Sequence, residues 1–106
     1  LLIRRTGEVI QFVPFDCRAW HAGASDYQGR ENCNDFSIGI EMEGTDTGIF
    51  EVEQYRQLVA IIRVLRDHYP GIALEQIVGH SDIASSRKTD PGLGFDWSYV
   101  ESLLGC

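Results

Sequence analysis

Ser37-Ile38-Gly39-Ile40-Glu41-Met42-Glu43 alternates without a break between apolar residues and small or charged ones. Successive side chains of a strand point to opposite faces, so Ile38, Ile40 and Met42 are expected to face a core while Ser37, Gly39, Glu41 and Glu43 share the other face. Small residues thus lead up to two carboxylates. An ordinary solvated strand edge shows the same pattern. Beside a metal-binding loop, however, a strand carboxylate flanked by glycine is placed to act as a general base.

The flanking segments extend the pattern into a fold. Over residues 52–69 the apolar positions Tyr55, Leu58, Val59, Ile62, Leu65 and Tyr69 follow helical spacing, with Arg56, Arg63, Arg66 and Asp67 largely opposite, and Pro70-Gly71 ends the helix. His68 lies in the last turn, where a cation favours the helix dipole, a structural role. Upstream, residues 1–5 are expected to form a strand that turns at Gly7 into a hairpin partner over residues 8–13. Downstream, residues 74–78 are expected to form a short strand whose end delivers Gly79-His80. Asp96 is placed to cap a closing helix through Trp97, Val100, Leu103 and Leu104, with Gly105 as terminator. The order is hairpin, loop, strand, helix, strand, loop, helix.

A chain of 106 residues with 43% hydrophobic content makes a single small domain or a piece of one. Sixteen acids against nine bases give a formal charge of −7, which argues against non-specific binding to nucleic acid or to an anionic membrane. No apolar run approaches a membrane span, and Leu1-Leu2-Ile3-Arg4-Arg5 does not have the pattern of a signal peptide. A first residue other than Met, already inside a strand, leads to the expectation that the natural chain begins further upstream. Cys17, Cys33 and Cys106 show no C-x-x-C spacing, so neither a disulfide framework nor a thiolate zinc knuckle is encoded, and a reducing compartment fits. Cys33 reads as a packed thiol more readily than as a nucleophile.

Chemistry concentrates in two loops. Gly79-His80 followed by Ser86-Arg87-Lys88-Thr89-Asp90-Pro91-Gly92 places an imidazole, an ammonium and a carboxylate close together, and Lys88 is the only lysine of the chain. An imidazole and a carboxylate are ligands for a divalent metal such as zinc, and a neighbouring ammonium could neutralise an oxyanion formed there. A solvated loop with one surface histidine is the alternative. The second loop, residues 16–35, is polar and rich in turn formers, a length uncommon inside a small domain unless it works. It carries Ala19-Trp20-His21-Ala22-Gly23. Trp20 reads equally as a residue covering the core and as a ligand platform; His21, taken alone, reads as a hydrogen-bonded structural histidine.

Taken together, Ala19-Trp20-His21-Ala22-Gly23, Asn34-Asp35-Phe36-Ser37-Ile38-Gly39-Ile40-Glu41, Gly79-His80 and Arg87-Lys88-Thr89-Asp90-Pro91-Gly92 resemble the motifs of the zinc-dependent N-acetylmuramoyl-L-alanine amidases. The similarity runs nearly end to end and is nearest to the cytosolic branch that acts on 1,6-anhydro-muropeptides in cell-wall recycling. The resemblance implies an α/β fold, a mixed central β-sheet flanked by helices of the amidase and peptidoglycan-recognition type, and a Zn2+ cofactor held by two His and one Asp. His80 and Asp90 match two of those ligands, Glu41 the acidic catalytic residue, and Lys88 the residue that supports the oxyanion. Trp20 and His21 match the groove that binds substrate, Trp20 offering an apolar wall to a sugar or lactyl face.

Two departures accompany the match. The family's first zinc histidine lies on a strand upstream of anything in this chain, so residues 1–106 are expected to be the C-terminal portion of the domain, lacking that strand and ligand. Such a piece should bind zinc weakly and expose an unpaired sheet edge. Secondly, Asn32 stands where cytosolic members usually carry an arginine that holds the acidic end of the stem peptide, so peptide preference is expected to differ. The implied reaction is hydrolysis of the amide between (1,6-anhydro-)N-acetylmuramic acid and L-alanine. The implied partner is a muropeptide, with no nucleic acid, membrane or obligate protein partner, and the implied compartment is the cytoplasm. The alternative function is a non-catalytic peptidoglycan-binding module on the same fold, but a pure binder has no need of Glu41, Lys88, His80 and Asp90 together.

Overall fold

The hairpin at the start of the chain is present but short. In the computed structural model, which describes residues 1–45 and 47–105, β1 (Leu2–Ile3) pairs antiparallel with β2 (Val9–Ile10), Leu2 opposite Ile10 and Ile3 opposite Val9. Gly7 makes the turn at φ 89°, a region costly for any residue with a Cβ, and it packs against the first turn of the long helix, 3.3 Å from Glu53 Cβ to the point a methyl would occupy. The pairing stops after Ile10, and Phe12 is 70% exposed, so the partner strand is shorter than the expected 8–13.

Residues 16–35 hold a second hairpin that the polar composition concealed. β3 (Asp26–Tyr27) and β4 (Arg30–Glu31) pair antiparallel around Gln28 and Gly29, both at positive φ (52° and 85°). Two left-handed residues match the twist of a two-residue hairpin turn, but glutamine is not a usual signal for it. A short 3-10 turn at Cys33–Asp35 leads into β5 (Glu41–Met42). β5 runs parallel to β1, with Leu2 opposite Glu41 and Ile3 opposite Met42, so the sheet order β2-β1-β5 is mixed. Ladder pairing covers less than the expected strand; Ile40 and Met42 pack onto the core as the alternation requires, whereas Ile38, expected there too, is half-buried outside that cluster.

α1 (Val52–His68) buries Tyr55, Leu58, Val59, Ile62 and Leu65 on one stripe. Tyr69, expected to continue that stripe, is instead 36% exposed beyond the last turn. Ile3, Phe50, Phe95 and Val100 complete the core, with Phe95 5.5 Å from Tyr55 and 5.9 Å from Phe50 between ring centroids. The expected strand over residues 74–78 is absent; Leu74–Gln76 is a 3-10 turn. Local bonds won there: Gln76 N–H donates to Ala73 O at 3.0 Å, and Ala73 N–H donates to the Gln76 side-chain oxygen at 2.8 Å. His80 therefore opens a short helix, α2 (His80–Ile83), rather than ending a strand. α3 (Trp97–Leu103) starts as expected, with Asp96 Oδ1 accepting Tyr99 N–H at 2.9 Å, and Tyr55 OH accepts Asp96 N–H at 2.9 Å, which docks α3 on α1. Among the described residues no helix is long and apolar enough to cross a membrane. Cys33 is buried and Cys17 exposed, both free thiols, while Cys106 lies outside the described residues.

Candidate active site

Parallel pairing with β1 fixes the backbone on both sides of Glu41: Glu41 N–H donates to Leu1 O at 2.8 Å and Glu43 N–H to Ile3 O at 2.9 Å. Gln54, fully buried on α1, donates from Nε2 to Glu43 O at 2.9 Å and to Ile3 O at 3.3 Å, tying the helix to the end of β5. Its Oε1 accepts Glu51 N–H at 2.8 Å and so caps the helix it belongs to. The sequence reading passed over Gln54 because a polar residue at a helix N-terminus ordinarily faces water.

His80 and Asp90 meet because the loop folds back on α2. Ser81 N–H donates to Asp90 O at 3.0 Å, and Gly79 leaves room for Pro91, whose Cδ would sit 2.6 Å from an added Cβ. His80 Nδ1 lies 2.6 Å from Asp90 Oδ2 and 3.7 Å from Glu41 Oε1. Glu41, His80 and Asp90 form a cluster whose donor atoms all lie within 4.8 Å of one another and which could hold a metal ion. The His80 side chain is 9% exposed against 52% for Glu41. The imidazole is thus largely enclosed, and the glutamate faces solvent. Lys88 sits on the turn after α2, its N–H donating to Ala84 O at 2.8 Å.

The Trp20–Gly23 loop is pinned from two sides. Asn34, buried, accepts from both His21 N–H (3.1 Å) and Ala22 N–H (2.9 Å) through one side-chain oxygen. Arg87 donates to Ala22 O at 2.6 Å and to Ala24 O at 3.0 Å. This arrangement carries the His21 ring onto His80, Nδ1 to Nε2 3.0 Å, and onto Ser37, Nε2 to Oγ 2.9 Å. Gly39 makes the approach possible, since a Cβ there would lie 2.4 Å from His21 Cγ. Burial, then the neighbouring His80 and Lys88, lower the His21 pKa to about 4, so the ring is neutral at physiological pH.

Trp20 is 79% exposed among the described residues, apart from the buried core. The Arg18 guanidinium stands 5.1 Å from its ring and pairs with Asp35 at 2.8 Å. A groove of about 400 Å³ runs past Phe12, Phe15 and Trp20 to His21 and Glu41. His21 lines it while both of its ring nitrogens are engaged inside the protein. Asn32 is exposed at φ 57°, a left-handed conformation that asparagine tolerates well.

A carboxylate, an imidazole and a second carboxylate from three separate segments thus converge beside a groove, in an arrangement that could hold a metal ion. The N-acetylmuramoyl-L-alanine amidase family profile matches residues 1–93. The chain belongs to that amidase family. It is 64% identical over 103 residues to the 1,6-anhydro-N-acetylmuramyl-L-alanine amidase AmpD of Enterobacter cloacae, a match covering 97% of this chain and 54% of that protein. The crystal structure of a selenomethionine derivative of AmpD superposes with a TM-score of 0.93 at 59% identity, covering 97% of this chain and 57% of that one. The Escherichia coli amidase AmiD, solved with its substrate anhydro-N-acetylmuramic acid-L-Ala-D-γ-Glu-L-Lys, gives a TM-score of 0.83 at 36% identity, covering 91% of this chain and 40% of that one. This chain thus spans about half the length of the curated relatives it matches. The family fold agrees with the mixed sheet and helices seen here.

Proposed function

We propose that this chain carries the greater part of the active site of an amidase that cleaves the bond between (1,6-anhydro-)N-acetylmuramic acid and L-alanine in muropeptides released during peptidoglycan recycling. The observation that carries the reading is the convergence of Glu41, His80 and Asp90 from β5, α2 and the following loop. Likeness to AmpD supports the anhydro-muropeptide as substrate. The free thiols Cys17 and Cys33 agree with a cytoplasmic setting.

One imidazole nitrogen and carboxylate oxygens are the donor chemistry of zinc hydrolases, so the site fits a zinc ion with His80 and Asp90 as ligands. When bound, zinc supplies Lewis acidity toward water and the amide carbonyl. Glu41, more exposed than either ligand and 3.7 Å from His80, takes the proton of the attacking water and passes it to the departing alanine nitrogen. Lys88 stabilises the negative charge that builds on the carbonyl oxygen. Trp20 packs against the sugar or lactyl face at the mouth of the groove.

The test is Glu41→Ala in the complete protein, read by zinc content and by release of L-Ala-peptide from anhydro-muropeptide. Zinc content stays near that of the unmodified protein while turnover falls to background, because a proton carrier is lost and a ligand is not. Loss of zinc together with activity reassigns Glu41 as a ligand. Glu43→Ala, whose side chain accepts Arg5 N–H at 2.9 Å, has the milder effect.

A further inference from the structure

One feature of the site is unused by this mechanism: an unbroken line of hydrogen bonds from the backbone to the inner nitrogen of His80. It starts at Cys33 O, which lies 2.6 Å from Ser37 Oγ. Two oxygens at that distance repel unless a hydrogen lies between them, and a carbonyl has none to give. The single Ser37 hydroxyl hydrogen therefore belongs to Cys33 O, although that carbonyl also accepts Phe36 N–H at 3.2 Å. With its hydrogen spent, Ser37 Oγ can only accept from His21 Nε2, 2.9 Å away. His21 then carries its one proton on Nε2, and Nδ1 is left as an acceptor. At 3.0 Å from that acceptor, His80 Nε2 must be the protonated nitrogen. The other nitrogen of His80, Nδ1, lies 2.6 Å from Asp90 Oδ2 and 3.7 Å from Glu41 Oε1; by the same rule a hydrogen on Nδ1 bridges it to the Asp90 carboxylate here, and that is the proton a metal ion would replace.

We propose that Ser37 and His21 act as positioning residues that hold a proton on His80 Nε2 and so make Nδ1, the nitrogen facing Asp90 and Glu41, the one that exchanges its proton for the metal ion. The inference rests on the metal reading of the preceding section. It assigns His21 a task different from contact with substrate, and it gives Gly39 a reason, since only a residue without a Cβ lets the imidazole lie close enough to bridge Ser37 and His80. A histidine that ligates a metal through one nitrogen is oriented by whatever accepts from the other. Here the acceptor is a second imidazole, itself polarised from the backbone.

The experiment has two readouts. Nitrogen-15 NMR of the imidazoles, in the complete protein with and without zinc, gives the tautomers directly. His21 is protonated at Nε2 in both states, and His80 keeps its Nε2 proton while its Nδ1 resonance moves when zinc is added. Zinc affinity, measured by competition with a chromophoric chelator, falls about 10–100-fold in His21→Ala and less in Ser37→Ala, where His21 is merely released to choose its tautomer. His21→Gln restores most of the loss, because its amide oxygen can accept from His80 and its amide nitrogen can donate to Ser37. This variant also carries the test if the alanine form does not fold. Unchanged zinc affinity in both folded His21→Ala and folded Ser37→Ala proteins, or a His80 bound to zinc through Nε2, overturns the proposal. Unmodified protein with the expected tautomers but no zinc uptake overturns the metal site itself, and with it the purpose assigned to the relay.

Discussion

Replacing Gln54 by alanine tests how firmly helix α1 holds the strand that bears Glu41. The amide serves three backbone groups at once: it donates to Glu43 O and Ile3 O and accepts Glu51 N–H. Ile3 O keeps a partner after the change, since Glu43 N–H also donates to it at 2.9 Å. Glu43 O and Glu51 N–H lose theirs. A stranded buried group costs about 1–3 kcal/mol. Both residues border solvent, so about 1 kcal/mol each is appropriate, and the space left by a fully buried side chain adds about 1 kcal/mol more. The expected loss is about 3 kcal/mol, a large share of the roughly 5–15 kcal/mol that stabilises a typical domain. Urea denaturation followed by circular dichroism reads it as a lower midpoint at constant slope. Gln54→Glu separates hydrogen bonding from size, because a carboxylate there faces two carbonyl oxygens and is worse than alanine at neutral pH. Such a carboxyl holds its proton more tightly folded than unfolded, so the native state binds more protons and stability falls as pH rises above about 4.3. A Gln54→Ala protein within about 0.5 kcal/mol of the unmodified one, or a Gln54→Glu protein that gains relative stability between pH 5 and 7, would refute the reasoning.

In the complete protein, His80→Ala and Asp90→Ala should each strip zinc, measured by metal analysis after dialysis, whereas Lys88→Ala should retain zinc and lose about 10²–10³ in rate. Normal zinc content in both ligand variants would overturn the assignment. Gly39→Ala should push the His21 ring off Ser37 and His80, since the new methyl would begin 2.4 Å from Cγ; the expected cost is about 1–3 kcal/mol in urea, together with weakened zinc binding. Arg87→Ala removes the donors to Ala22 O and Ala24 O and should speed amide hydrogen exchange across residues 20–25 while leaving exchange in α1 unchanged.

What could be seen in the sequence was what local periodicity controls. Alternation around Glu41 put Ile40 and Met42 inward, and helical spacing marked the buried stripe from Tyr55 to Leu65, because in both cases burial follows from the repeat alone. The parallel pairing of β5 with β1 is a long-range event with no local signature. Side chains that bond to the backbone were the other blind spot. Gln76 turned an expected strand into a 3-10 turn, Asn34 gathers two amides of the His21 loop, and Gln54 sits buried where a polar residue suggested a surface. For the site, residue types pointed to His80, Asp90, Glu41 and Lys88 as candidates, and the fold brings the first three together. The contact between His21 and His80 was invisible, because it depends on Gly39, Asn34 and Arg87 acting on one loop from three directions.

Those three directions also explain why the site is built on so little regular structure. The strands are two residues long and α2 has four, so ladder and helix bonds alone would leave Glu41, His80 and Asp90 loosely placed. Each is instead held by a bond to a distant segment: Glu41 through the β1 ladder and Gln54, Asp90 through Ser81 N–H, and His80 through His21, whose loop Arg87 clamps from the same stretch that supplies Lys88. Because Arg87 and Lys88 are adjacent, the bonds that clamp the Trp20–Gly23 loop come from the stretch that supplies Lys88. Loosening that clamp by Arg87→Ala is therefore expected to lower zinc affinity in the complete protein as well as to free the loop, and unchanged affinity would show that groove and candidate ligands are independent.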